Sequence, residues 1–271
     1  MSVAHAFAKI NLGLVVGPRR EDGKHELVTV LQRVDLHDDI ELEPADELAI
    51  DGFAADTIVR AALEELARVS GAEPRWRVRI GKRIPVAAGL GGGSTDAAAA
   101  LRLANAALPD PLPLDVLQGI AATIGADVPF FLRDGAQLGT GDGTELEPAE
   151  LPSDYDVVLV VPHGESKRST AAVYEAFDAR RGDDGFDGRA AVLRRALASV
   201  VTATDLAGLP SNDLASSPLA EQLMSAGAFR ADVTGAGPTV YGLFERPDDA
   251  RAAAEALNGV GRTIVSRPVA R

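Results

Sequence analysis

Cysteine is missing from this chain of 271 residues. Its absence excludes disulfides, thiolate metal centres and a cysteine nucleophile. Long apolar runs are missing as well, none approaching the ~20 residues that a membrane-spanning helix requires. The first residues, from Met1 to Lys9, carry neither a basic leader nor an extended apolar core, so no secretory signal is expected there and a cytoplasmic setting is. Basic charge is scarce, with 27 lysines and arginines against 40 acidic residues and a net charge of −13. A general nucleic-acid binder needs a basic footprint that this chain lacks, although local basic spots can still hold a small anion. Only four of the basic residues are lysine: Lys9, Lys24, Lys82 and Lys167. A compact ammonium and a planar guanidinium are not interchangeable, so a position that keeps lysine in an arginine-rich chain draws notice. Three of these four lie in segments singled out below on other grounds.

What is present is ordinary for a soluble globular protein: 46% hydrophobic and 25% charged residues, in a length that suits one large domain or two of common size. Residues 3–10, 12–16, 27–34 and 39–42 read as strands, with turn signals from Gly17 to Gly23. Residues 56–70 carry apolar side chains at helical spacing and stop at Gly71. A strand over 75–80 leads through a glycine-rich loop to helices over 95–107 and 114–124. Residues 139–154, rich in Gly, Asp, Glu and Pro, read as a gap, which places a domain boundary near 150 and divides the chain into 1–150 and 151–271. Beyond it strands (156–161, 230–233, 240–244, 262–266) and helices (169–179, 189–200, 219–226, 248–257) mix without strict alternation, so the class is α+β.

The densest signal is Pro85-Val-Ala-Ala-Gly89-Leu90-Gly91-Gly92-Gly93-Ser94-Thr95-Asp-Ala, running into an alanine-rich helix. Glycine costs backbone entropy and packs nothing, so such a cluster points to close backbone approach with N–H donors aimed one way. A glycine loop feeding a helix N-terminus is a ready phosphate site. The plainer alternative is a turn capped by Ser94 or Thr95. Neither the dinucleotide fingerprint nor the Walker A pattern fits the spacing.

Four further segments are candidates. Lys9 and Asn11 stand two apart on a strand and so face one side, either as a polar edge towards water or as functional groups. Asp127 follows a helix and precedes an apolar run, either as a cap or as a shielded acid fit for general-base work. Thr234-Gly235-Ala-Gly237-Pro-Thr is either a tight connection or a second backbone surface for phosphates. Ser211-Asn-Asp-Leu reads as an N-cap.

Taken together, Ala8-Lys-Ile-Asn-Leu12, Arg20–Leu27, Pro85–Ala97, Gly125–Phe131 and Thr234–Thr239 resemble the GHMP kinase superfamily, the small-molecule kinases that include homoserine, mevalonate and galactose kinases. The match runs from one end of the chain to the other. It implies a two-domain fold, with a ribosomal-protein-S5-like half over 1–150 that binds ATP and a ferredoxin-like half over 151–271. The first segment paired with Gly-Ala-Asp-Val-Pro is similar to the branch whose acceptor is a cytidine diphosphate-linked polyol of isoprenoid precursor synthesis.

The resemblance implies Asp127 as general base and Lys9 as its partner, keeping the acid ionised and stabilising charge on the transferring phosphoryl group. It implies Pro85, Gly89, Leu90, Gly91, Gly92, Gly93, Ser94 and Thr95 around the ATP phosphates, joined by Asp56 and Lys82, with magnesium carried by ATP near Ser94 or Thr95. Asn11, Lys24, His25, Tyr174, Gly235 and Gly237 would meet the acceptor, His25 at the edge of its cytosine. The partners implied are ATP and a small molecule, with no nucleic acid or membrane, in a monomer or homodimer.

Two positions depart from the pattern. Lys24 stands where an aromatic stacking on cytosine is usual, leaving Tyr174 as the remaining ring, and Asp56 stands where asparagine is usual. Lys24 therefore keeps open a sister kinase with an anionic acceptor, and a non-catalytic nucleotide binder is a weaker alternative because Lys9, Asp127 and the glycine loop are all present.

Overall fold

Two long strands open the chain: β1 (Ser2–Arg19) and β2 (His25–Pro44), which pair with each other. The computed structural model describes residues 1–53, 58–164 and 169–270. The breaks expected at residue 11 and over 35–38 do not occur. Asn11 stays inside β1 because its Nδ2 donates to Thr29 Oγ1 at 2.8 Å, and a buried polar side chain with a partner has no need to leave a strand. Asp38 stays inside β2 for the same reason, accepting from the Arg83 and Ile84 N–H groups.

The chain forms two compact units, each discontinuous in sequence. The first comprises Met1–Ala8, Leu36–Val86 and Gly91–Asp134, and the second Lys9–Asp35, Ala87–Leu90 and Gly135–Arg271. In the first unit, the last residues of β2 pair antiparallel with β4 (Trp76–Gly81), whose other edge takes β3 (Ala49–Asp51) in parallel. Helix α1 (Ile58–Ser70) buries Val59, Ala62, Leu63, Leu66 and Ala67, the i, i+3, i+4, i+7 stripe of an amphipathic helix. It packs on α2 (Gly92–Ala106) and α3 (Leu114–Ile124), and α2 packs also on the short α4 (Val128–Phe131). Helix α2 is buried on most sides, and its alanines keep the neighbouring helices close.

In the second unit, Thr29–Leu31 of β2 pair with β5 (Ala136–Thr140), and β5 pairs with β6 (Glu145–Ala149). This hairpin corrects the reading of 139–154 as a gap. Its glycines, Gly141 and Gly143, take the positive φ values of the turn, and β6 tolerates Pro148 and its glutamates because it ends the sheet.

The remaining strands form an antiparallel sheet in the order β10-β7-β9-β8, with β7 Asp156–Pro162, β8 Arg230–Val233, β9 Val240–Phe244 and β10 Gly261–Ser266. Helices α5 (Thr170–Ala179), α6 (Phe186–Ala198), α7 (Pro218–Ser225) and α8 (Pro247–Leu257) complete the unit. Helix α7 packs on β8 and β9, and α8 on β7 and β10, over a core of Val158, Val160, Leu223, Val240, Phe244, Ala250 and Leu257. This strand order with α8 before β10 is the ferredoxin-like arrangement, and the class is α+β. Among the described residues no helix is long and apolar enough to cross a membrane.

One buried cation holds the loop that precedes this sheet. Arg230 is 6% exposed, and its guanidinium donates to the carbonyls of Leu206, Leu209 and Pro210 and to Tyr241 Oη. Arg230→Ala strips three carbonyls, two of them buried, of their donor and leaves Asp232, 3.6 Å away, without its cation. The expected loss is about 3–5 kcal/mol, read as a lower urea midpoint; a loss below 1 kcal/mol would show that water replaces the guanidinium.

Candidate active site

The glycine loop enters α2 through two residues in the left-handed region, Gly89 at φ +81° and Gly91 at φ +71°. Only glycine fits at 89, where a Cβ would lie 2.4 Å from the Thr234 carbonyl oxygen. Gly91 is the N-cap of α2, and no side chain caps the helix. Ser94 and Thr95 are thus not the cap: the helix begins at Gly92, and Thr95 N donates to the Gly91 carbonyl at 2.9 Å. The first-turn N–H groups have no intrahelical acceptor and carry the positive end of the helix dipole. Of the two hydroxyl residues, Ser94 is half-buried and Thr95 buried, so Ser94 is the one within reach of a ligand.

The first half of the loop is fixed by its backbone. Lys9 N donates to the Leu90 carbonyl at 3.0 Å and Thr239 N to the Ala88 carbonyl at 3.3 Å. Ala87 is held at φ +60° without the freedom of glycine, a conformation that costs roughly 1–2 kcal/mol.

Lys82 lies between two carboxylates at the start of α2. Its Nζ is 2.5 Å from Asp38 Oδ2 and 2.8 Å from Asp96 Oδ2, both on fully buried side chains. Asp38 Oδ1 is taken by the two backbone N–H groups of Arg83 and Ile84. Asp96 Oδ1 is buried with no hydrogen-bond partner among the described residues. Burial pushes the Asp96 carboxyl up to about 8; the Lys82 bond works against this and the Asp38 charge adds to it. Burial pulls the Lys82 ammonium down, but its two bonds outweigh that and raise it. Asp96 thus holds a proton at neutral pH while Lys82 remains charged.

A second polar cluster stands in the other unit. Lys9 and Asn11 are 4% and 5% exposed, so the pair is not an edge facing water. Lys9 Nζ donates to Asn11 Oδ1 at 2.6 Å, and Thr29 Oγ1, having received from Asn11, donates to the Gly13 carbonyl at 2.8 Å. Asn11 N donates to Thr234 Oγ1 at 3.1 Å. Gly235 stands over this cluster: a Cβ there would lie 3.5 Å from Lys9 Nζ. Gly235 and Gly237 both take positive φ, and Asn212 Nδ2 donates to the Gly235 carbonyl at 2.7 Å. The Ser211–Leu214 segment is therefore not an N-cap; α7 starts at Pro218 under Ser217, and Asn212 braces the 234–237 turn.

His25 and Tyr174 stand face to face, with ring centroids 4.8 Å apart and planes at 28°. His25 Nε2 is 2.8 Å from Asp178 Oδ1. Lys24 Nζ pairs with Asp142 Oδ2 at 2.5 Å; Asp142, which burial works to raise, is held below the ordinary carboxylate range by bonds from Lys24 and Thr144.

Asp127 occupies the N-cap position of α4 yet its side chain caps nothing there, which removes the capping alternative. It is half-buried ahead of the fully buried Val128–Phe131. Pro85 is half-buried at the loop entry, and Asp56 lies outside the described residues. Asp38 and Thr29 were not singled out by the sequence, and Asp96 and Asn212 lay in singled-out segments without a role of their own. Asp38 carried a signal, since it shares the period-two face of Ile40 and Leu42 and all three are buried.

Residues 56–135 match the GHMP kinases N terminal domain, and residues 214–263 match GHMP kinases C terminal. The chain is 39% identical to the 4-diphosphocytidyl-2-C-methyl-D-erythritol kinase of Nocardia farcinica, covering 96% of this chain and 90% of that one. It is 36% identical to the kinase of the same name from Chlorobium phaeobacteroides, over 92% and 91%. A crystal structure of 4-(cytidine 5'-diphospho)-2C-methyl-D-erythritol kinase superposes with a TM-score of 0.81 at 31% identity, each chain covered fully. A mevalonate kinase reaches a TM-score of 0.80 at 15% identity, over the full length of both chains, and shows the fold alone.

Two outcomes follow from this geometry. Gly89→Ala places a Cβ against the Thr234 carbonyl at positive φ, and is expected to lower stability by at least about 1–2 kcal/mol and to weaken ATP binding in calorimetry; wild-type binding would show that the loop can shift. Asp96, with a folded pKa raised from 3.8 to about 8, favours the folded state most at low pH. That contribution is lost as pH rises from about 4 towards 8, by at most about 1.4 kcal/mol per pH unit, and levels off above. Asp96→Asn keeps the neutral shape, so its stability relative to wild type should rise over that window in denaturation at several pH values. Parallel profiles would mean that Asp96 is ionised throughout.

Proposed function

The chain belongs to the 4-diphosphocytidyl-2-C-methyl-D-erythritol kinases, GHMP kinases of the non-mevalonate route to isoprenoids, and on that premise we propose how its residues divide the work. The enzyme is an ATP-dependent phosphotransferase with an alcohol acceptor. We place ATP, carried with Mg2+, on the first turn of α2, and one observation carries the reading: the N-cap is Gly91, which makes no side-chain capping hydrogen bond, and such a terminus suits a polyanion. Ser94 lies nearest the nucleotide's metal, with Pro85, Gly89, Leu90, Gly92, Gly93 and Thr95 shaping the cradle. Asp56 is assigned to the adenine end on the resemblance alone. Lys82, committed to Asp38 and Asp96, acts as a positioning residue that fixes the start of the helix rather than as a phosphate ligand.

Asp127 is the proposed general base, on the resemblance and on its half-buried place ahead of the buried Val128–Phe131. It takes the proton of the acceptor's 2-hydroxyl as that oxygen bonds to the γ-phosphorus, and the bond from phosphorus to the bridging oxygen breaks to release ADP. Phosphoryl transfer asks mainly for positioning and charge stabilisation, and the buried Lys9 ammonium, oriented by Asn11, supplies the latter. Asn11, Gly235 and Gly237 border the acceptor, while His25 and Tyr174 read its cytosine. The division near residue 150 into an ATP-binding half and a C-terminal half is part of the same proposal, as is residence in the cytoplasm.

The reading with an anionic acceptor loses its footing because the Lys24 ammonium is already matched by Asp142. ADP release with 4-diphosphocytidyl-2-C-methyl-D-erythritol tests the assignment. Asp127→Asn should cut turnover by about 10²–10⁴ with ATP binding kept; turnover within tenfold of wild type removes Asp127 from the role. Lys24→Tyr should change kcat/KM for this acceptor by less than tenfold, whereas a large gain confined to the variant would point to a different natural acceptor.

A further inference from the structure

Apart from the proposed catalytic residues, His5, His37 and Asp39 bring three metal-ligating side chains together within the first unit. His5 lies on β1, and His37 and Asp39 lie two residues apart on β2, hence on one face of that strand. His5 Nδ1 is 2.9 Å from Asp39 Oδ1 and His37 Nε2 is 3.6 Å from the same oxygen. All three ligand atoms fall within 4.8 Å of one another. Around a tetrahedral Zn2+, with nitrogen and oxygen ligands at about 2.0–2.2 Å, neighbouring ligand atoms stand about 3.3 Å apart. The two contacts to Asp39 bracket that spacing, so small side-chain rotations suffice to converge on one ion.

We propose that His5, His37 and Asp39 bind a divalent transition-metal ion, with Zn2+ as the best fit, at a site separate from the magnesium that accompanies ATP.

The surroundings have the character of a supporting shell. Asp39 Oδ2 receives Arg83 Nη2 at 2.6 Å, which fixes the carboxylate plane and leaves Oδ1 directed at the two rings, the kind of orientation that outer partners give metal ligands. The imidazoles are 4.3 Å apart, and the Phe7 ring packs edge-on against His37 at 5.5 Å, giving the site an apolar wall. With no cysteine and only four histidines in the chain, a borderline ion has few other places to bind, and His25 is engaged with Asp178. Two imidazoles and one carboxylate select zinc and its neighbours over magnesium, which prefers oxygen ligands and its own water. The ion would tie β1 to β2 and stabilise the folded chain by mass action.

The test uses the whole chain, stripped with a chelator and titrated with zinc chloride by calorimetry without nucleotide or magnesium. One ion per chain at micromolar affinity or tighter is expected, together with a higher melting temperature. His5→Gln and His37→Gln should each weaken binding at least tenfold, while His163→Gln leaves it unchanged. Absence of binding at submillimolar zinc, or unaltered affinity in both the His5 and His37 variants, overturns the site. Should a variant fail to fold, Co2+ on the wild-type chain decides. Intense visible absorption of a four-coordinate ion, displaced by zinc, supports the site, and a spectrum without it does not.

Discussion

A carbonyl oxygen, that of Thr234, occupies the space that a Cβ on residue 89 would need, and the Lys9–Asn11 cluster of the candidate site is tied to this contact. It requires glycine at positive φ, and it sets the level at which the loop meets the 234–237 turn. Thr234 is itself held from its other side, since its hydroxyl accepts from the Asn11 backbone, and Asn11 orients Lys9. The line from the loop to Lys9 is thus four residues of close contact with little slack. Buried polar chains of this kind hold one geometry when every member is satisfied.

The start of α2 depends on a different device. Two carboxylates share one ammonium at Lys82, and Asp38 spends its remaining oxygen on the two backbone N–H groups that follow Lys82. Removing Lys82 or Asp38 would leave a buried group without its main partner, so the cluster behaves as a unit. Its cost in desolvation is met by fixing where the helix begins, and with it the direction of the N–H groups.

Much of this was legible in the sequence. The glycine cluster marked a stretch of close backbone approach, which the Gly89–Thr234 contact bears out, and the α+β class followed from the mixed periodicities. Lys9 and Asn11 were paired correctly by strand alternation. The start of α2 was placed three residues late because Ser94 and Thr95 are good caps, and local propensity does not see that an uncapped terminus is useful. The β5–β6 hairpin was lost because an outer strand tolerates proline and charge that argue against a strand elsewhere. The role of Asn212 was hidden because its partners, Val233 and Gly235, are some twenty residues distant, beyond any local pattern. Asp96 was hidden by its position inside the alanine run, where one acid reads as a solvated helix face.

The proton held on Asp96 has an electrostatic result for the whole loop. With that proton in place, Asp96 adds no negative charge to the cluster it shares with Lys82 and Asp38. An ionised Asp96 would add a negative charge in the first turns of α2 and oppose the helix's partial positive pole. A chain that carries −13 overall thereby keeps one negative charge away from the start of α2, where it would oppose the backbone dipoles.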